Sequence, residues 1–191
     1  MTETEHIASW VKPGSRVLDL GCGDGRLLKH LWQARQAPGY GVEIDDAHVL
    51  ECIRNDVNVL QMNLEDGLAT FADNSFDYVI LSETLQAIHR QEPLLKDMLR
   101  VGREAIVSFP NFAYWRARLQ IALEGHMPVS KELPYQWYDT PNVHHCTLVD
   151  FEALCEKLQL RILERLVLRN GGTVAFLPNL LGALALYRVS A

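Results

Sequence analysis

The sequence predicts an α/β protein built on a seven-stranded, mostly parallel sheet with an antiparallel last strand, and three observations carry this. Short apolar runs alternate with helical stretches, a turn with three glycines in five residues joins the first run to the first helix, and the last two runs follow one another without a helix. Near-continuous apolar strands of this kind suit a sheet covered on both faces.

The expected strands, in order, are 16–20, 40–44, 58–61, 76–81, 104–109, 160–168 and 180–189, and the expected helices between the first five lie at about 25–36, 46–55 and 91–101. Lacking a helix between them, the last two strands are expected to pair as an antiparallel hairpin at one sheet edge, across a long connection at 169–179. The stretch 110–146 interrupts the alternation with tryptophans, tyrosines and four prolines, and reads as an aromatic-rich insertion holding a helix at about 112–123. After it, Thr147 with Asp150 three residues on has the form of a capping box opening the helix TLVDFEALCEKL.

At 191 residues the chain falls within the size of a single domain, here 1–191. The formal charge of −6 and the lack of a basic cluster leave little attraction for a phosphate backbone, which disfavours nucleic acid. No apolar run reaches the roughly 18–20 residues needed to cross a bilayer, and the polar MTETEHIASW is unlike a signal peptide, so a cytoplasmic location is expected. The widely spaced Cys22, Cys52, Cys146 and Cys155 read as free thiols, with no metal site.

The turn at Gly21, Gly23 and Gly25 would let a ligand approach the backbone beside a helix N-terminus, in Rossmann-like fashion. Its G-x-G-x-G spacing departs from the dinucleotide fingerprint, because the bulky Arg26 stands where the third glycine would be required. Asp19 and Asp24 put carboxylates beside the ligand, which would repel a pyrophosphate and favour a cationic sulfonium or ammonium such as that of S-adenosylmethionine. Glu43, 22 residues beyond Gly21, closes the second strand in GVEID, where a carboxylate can accept from both ribose hydroxyls with Ile44 beside it. Asn63, Leu64 and Ser82, near the ends of the third and fourth strands, are expected to line the adenine and methionine ends. The plainer alternatives are that Asp19 caps the turn and that Glu43 or Asp45 is an N-terminal charge for the next helix. Cys22, within the turn, reads as a small packed residue rather than a nucleophile.

With LDLGCGDG, GVEID and SFDYVILSETLQ, residues 8–109 resemble the class I S-adenosylmethionine-dependent methyltransferases. The later stretches SFPNFAYWRARLQ and GHMPVSKELPYQWYDTPNVHHCTLVDFEAL, together with VILSETLQ, resemble the methionine-biosynthesis MetW family over nearly the whole chain. The resemblance implies the class I methyltransferase fold and a protein that works alongside homoserine O-acyltransferase (MetX) as partner or activator. It carries the cofactor positions, for S-adenosylmethionine or S-adenosylhomocysteine, onto Asp19, Gly21, Gly23, Gly25 and Glu43. It also departs at Asn63, which replaces the acidic residue that usually meets the adenine amino group.

No catalytic residue stands out, since methyl transfer needs alignment more than acid–base chemistry. The amide-methylating N-P-P-Y is absent, and Ser82 and Glu83 either orient an acceptor or start a helix. His144, His145 and Cys146 read as structural residues, or as holding a general base if the insertion folds over the pocket. Only about ten residues precede the approach to the first strand, so a covering N-terminal helix is expected to be largely missing and the pocket open on that side, unless the insertion or another protein closes it. An active methyltransferase on a small-molecule acceptor is the alternative function.

Overall fold

A computed structural model describes residues 1–191. In chain order the elements are α1 (Glu3–Trp10), β1 (Val17–Leu20), α2 (Arg26–Arg35), β2 (Gly39–Glu43), α3 (Asp46–Arg54), β3 (Val59–Gln61), β4 (Phe76–Leu81), α4 (Gln91–Val101), β5 (Gly102–Pro110), α5 (Trp115–Glu124), α6 (Leu148–Lys157), β6 (Arg161–Arg169), β7 (Gly172–Thr173), α7 (Pro178–Leu181) and β8 (Leu184–Ser190). Short 3-10 turns lie at Leu64–Asp66 and Leu85–Ala87.

One sheet runs in the order β3-β2-β1-β4-β5-β8-β6-β7. Strands β1 to β5 pair parallel, and β8 pairs antiparallel with both β5 and β6. The order reverses beside β1, whose neighbours are β2 and β4, and a crevice opens at the carboxyl ends of the strands at such a point. All seven expected strands are present; the count is corrected to eight by β7, which pairs with the end of β6 through Leu168 and Arg169. The front of the expected last strand is helical instead, because Pro178 starts α7, where its missing N–H costs nothing.

Alternation along the strands divides the core in two. Leu18, Leu20, Val79, Leu81, Val107 and Phe109 pack with α4 and α6, while Val17, Tyr78, Ile80 and Ile106 pack with α1 and α2. On the first face Phe109, Phe151 and Tyr187 form an aromatic trio with ring centroids 4.7 to 5.9 Å apart.

The N-terminal segment forms a helix, which the expectation of an uncovered side had left out. Thr2 accepts from the Glu5 N–H and Glu5 from the Thr2 N–H, a reciprocal cap, and Ile7 and Ala8 are buried beneath it. The expected box at Thr147 and Asp150 opens α6 in the same way. Thr147→Ala removes the side-chain acceptor and is expected to cost about 1 kcal/mol. Thermal denaturation followed by circular dichroism should show Tm lower by about 2–4 °C.

Candidate functional site

The chain leaves β1 at Leu20 and turns through Gly21, Gly23 and Gly25, all at positive φ (70°, 54° and 78°), before α2 begins. Packing explains two of them. A Cβ on Gly21 would lie 2.6 Å from Thr84 Oγ1, and one on Gly25 would lie 3.0 Å from Val57 Cγ2. A Cβ on Gly23 would meet nothing within 4 Å. Gly23 borders a cleft of about 620 Å³, which Gly21, Glu43, Ile44, Asn63 and Leu64 also line. The insertion folds over this cleft, contributing Lys131, Glu132, Pro134, Tyr135, Pro141 and Asn142.

Glu43 ties the turn to the end of β2. One carboxylate oxygen accepts from the Gly23 N–H at 2.8 Å, and the other from the N–H groups of Ile44 (2.8 Å) and Asp45 (3.0 Å). Asp45 itself caps α3 by accepting from the His48 N–H at 3.0 Å. Asn63 Oδ1 accepts from the Glu65 N–H at 3.0 Å, which fixes the turn at Leu64–Asp66 against the cleft.

Asp19 is 2% exposed and lies behind the lining, on the β1 face that α1 covers. No hydrogen bond reaches its carboxyl, and burial, followed by the nearby Glu3 and Glu43 carboxylates, pushes its pKa up to about 7. Glu3 arrives from α1. It accepts from Ser82 Oγ at 2.8 Å and, closer still, from Ser108 Oγ. Glu83 lines the cleft at φ 48°, and burial, with Glu3 and then Glu132 close by, pushes its pKa to about 7 as well. Three carboxyl groups, those of Asp19, Glu3 and Glu83, thus gather near the ends of β1, β4 and β5.

Gln86 completes this wall. Its side-chain nitrogen donates to the Glu83 backbone carbonyl, its backbone carbonyl accepts from the N–H groups of Val143 and His144, and it is 9% exposed. The side-chain oxygen Oε1 is buried without a partner, an arrangement that costs free energy until a donor fills it.

Four expected site residues sit off the cleft wall. Cys22 is turned beneath the turn, where its sulfur would meet a Cβ on Gly41 and lies 3.7 Å from Cys52 Sγ, so it packs rather than faces the opening. Gly25 is the cap position of α2, backed by Val57 and Cys52. Ser82 is consumed by Glu3, and Asp19 stands behind the lining. His145 stacks on Phe112 with centroids 4.5 Å apart, and burial pulls its pKa down; neither it nor His144 borders the cleft. Glu3 and Gln86 escaped sequence reasoning. The one sequence signal for Glu3 is the Thr2-x-x-Glu5 pattern that starts its helix.

The family model described as "Methionine biosynthesis protein MetW" matches residues 2–189. Over 169 residues the chain is 39% identical to the bifunctional methionine biosynthesis protein MetXA/MetW of Rhodopirellula baltica. That match takes in 84% of this chain but only 27% of the relative's length. Among solved structures, an SAM-dependent methyltransferase from Archaeoglobus fulgidus aligns with a TM-score of 0.71 at 16% identity, covering 99% of this chain and 95% of that one. One from Mesorhizobium loti aligns equally well, at 0.71 and 16%, covering 98% and 96%. The chain belongs to the MetW family of methionine-biosynthesis proteins and has the class I methyltransferase fold.

Proposed function

We propose that this protein is a cytoplasmic accessory protein of methionine biosynthesis that binds S-adenosylmethionine and stimulates homoserine O-acyltransferase (MetX) in forming O-acylhomoserine. The observation that carries the partner is the relative named MetXA/MetW, in which both names belong to one polypeptide. Two activities kept on one chain hold their sites at high effective concentration, which favours a working association.

The cleft's own residues fit the cofactor. Gly23 leaves room that any side chain would take, and Gln86 Oε1 is an acceptor awaiting a donor. Behind that lining, Asp19 and Glu3 add negative charge that would attract the ammonium and sulfonium end without touching it. The Glu43 carboxylate has about four acceptor positions, of which backbone N–H groups take three, so one is left for a ribose hydroxyl. Asn63 and Leu64 face the base. When bound, the cofactor supplies a methyl group on a cationic sulfur.

In this reading occupancy of the cleft reports methionine status to the acyltransferase, which requires that the ligand bind the free and complexed forms with different affinity. The test is co-purification with the acyltransferase and its rate with this protein added, each across adenosyl-ligand concentrations. Co-elution and a rate that rises on addition are expected, and the ligand should shift both. A lone acyltransferase peak with an unchanged rate would remove the partner role.

One observation favours methyl transfer as a second reading. The Glu83 carboxyl, with its pKa near 7, borders the cleft beside Glu132, where it can take a proton from an acceptor amine. Methyl turnover on cell extract that survives in Gly23→Arg would discard it.

A further inference from the structure

We infer that Cys22 and Cys52 are a modification site, a reversible disulfide beneath the glycine turn that lowers affinity for the adenosyl ligand. The inference rests on the ligand reading given under Proposed function.

The two thiols are already neighbours. Cys22 lies within the turn and Cys52 on α3, with Sγ atoms 3.7 Å apart and both side chains buried. Cys52 Sγ donates to the Gly23 carbonyl at 3.1 Å, so the same residue that borders the cleft is held from below by a thiol and from the side by Glu43. Closing the pair to the ~2.05 Å of a disulfide requires the sulfurs to approach by more than an ångström. The glycines on either side of Cys22, at positive φ, leave the turn as the movable partner, whereas Cys52 is fixed by its helix. Oxidation also removes the S–H that the Gly23 carbonyl now accepts from. The floor of the cleft is therefore drawn toward α3 and loses a fixing bond.

The step balances with a hydroperoxide as oxidant. Cys22, the less completely buried of the two, attacks the peroxide; its sulfur gains the terminal oxygen as a sulfenic acid and the alcohol leaves. Cys52 then displaces that oxygen as water. In sum two S–H bonds break, one S–S bond forms, and the two electrons lost reduce the O–O bond. Burial, with Asp19 close by, pushes the Cys22 thiol up, and burial does the same to Cys52. The reaction is therefore slow at neutral pH and responds to sustained oxidant rather than to a brief pulse. Cys146, whose Sγ donates to the Thr147 carbonyl at 3.3 Å, serves as an internal control.

The full chain is treated with tert-butyl hydroperoxide, its disulfides are mapped by non-reducing peptide mass spectrometry, and adenosylhomocysteine affinity is measured by calorimetry before oxidation, after it, and after dithiothreitol. A Cys22–Cys52 linked peptide is expected, with affinity lower by about tenfold or more, since an ångström of misplacement in a site has effects of that size or larger. Dithiothreitol should restore it, and Cys52→Ser, which has no resolving thiol beside Cys22, should yield no linked Cys22 peptide after peroxide. Free thiols at both positions, a link to another cysteine, or equal affinity of the oxidised and reduced proteins would overturn the inference. If the reduced protein fails to bind adenosylhomocysteine, the ligand reading falls separately. Hydrogen exchange at 21–25 then tests the turn itself: altered exchange in the linked form is expected, and unchanged exchange would overturn the inference.

Discussion

Glu43→Ala is expected to lower Tm by about 4–8 °C and to abolish measurable adenosyl-ligand binding. The carboxylate collects three backbone N–H groups, and a hydrogen bond to a charged acceptor contributes about 1.5–3 kcal/mol where water cannot replace it. Water can replace it at Ile44 and Asp45, which are exposed, but not as well at Gly23. Removing a carboxylate that is 8% exposed also relieves its own desolvation. A net loss of about 2 kcal/mol remains, which for a chain of this length lowers Tm by the stated amount. The larger effect is on the turn: Gly21 and Cys22 still donate to the Val42 carbonyl, but the Gly23 N–H loses its side-chain anchor to the end of β2, and Gly23 is the glycine that borders the cleft. Glu43→Gln separates the two effects. Its oxygen still accepts from Ile44 and Asp45, but its amide would oppose the Gly23 N–H donor to donor, so most of the stability should return while binding stays lost. Scanning calorimetry of the three proteins, followed by titration with adenosylhomocysteine, checks both halves. A Glu43→Ala protein that melts and binds as the parent does would show that the anchor is idle.

Asp19→Asn should raise stability at alkaline pH while weakening ligand binding. The folded-state pKa of Asp19, about 7, lies above the ordinary carboxyl value of 3.8 that describes the unfolded chain. Between those values the folded protein holds a proton that the unfolded chain has released, so stability falls as pH rises through that window and is flat above it. For a carboxyl this deeply buried the loss by pH 8 is on the order of 3–4 kcal/mol. Asparagine has no proton to lose, so the variant should match the parent near pH 4 and exceed it near pH 8 in urea denaturation. The ligand reads the opposite sign. A cation prefers the ionised carboxylate, so affinity of the parent for S-adenosylmethionine should climb between pH 6 and 8, and the variant's should not. Parallel stability curves for the two proteins across pH 4 to 8 would show that Asp19 titrates as in the unfolded chain.

Much of the frame is legible in the residues because its cause is local. Strands β1, β4 and most of β5 are buried on both faces, so they read as near-continuous apolar runs broken only by single residues such as Asp19 and Asp77, and the seven expected strands all form. The two-residue β7 has no period to detect, and α1 is a single short helix whose sign is its cap alone. The site divides along the same line. The turn with Glu43 is visible because glycine at positive φ and an acidic strand end are local facts. Ser82 and Glu3 meet across 79 residues of chain, so nothing near Ser82 shows that its hydroxyl is already taken. Cys22 alternates with glycines, and a turn at positive φ reverses direction at each of them, so no period says which way its sulfur points.

The place of β8 in the sheet has a consequence for synthesis. Residues 184–190 lie between β5 and β6, so the edge of β5 has no neighbour, and β6 nothing to dock on, until the ribosome has passed residue 190. A nascent chain with β1 to β5 assembled would expose that edge and the unpaired apolar face of Phe109 to other molecules in the interval. Chains halted before residue 184 are expected to aggregate more readily than the full chain, because the strand order leaves that edge uncovered.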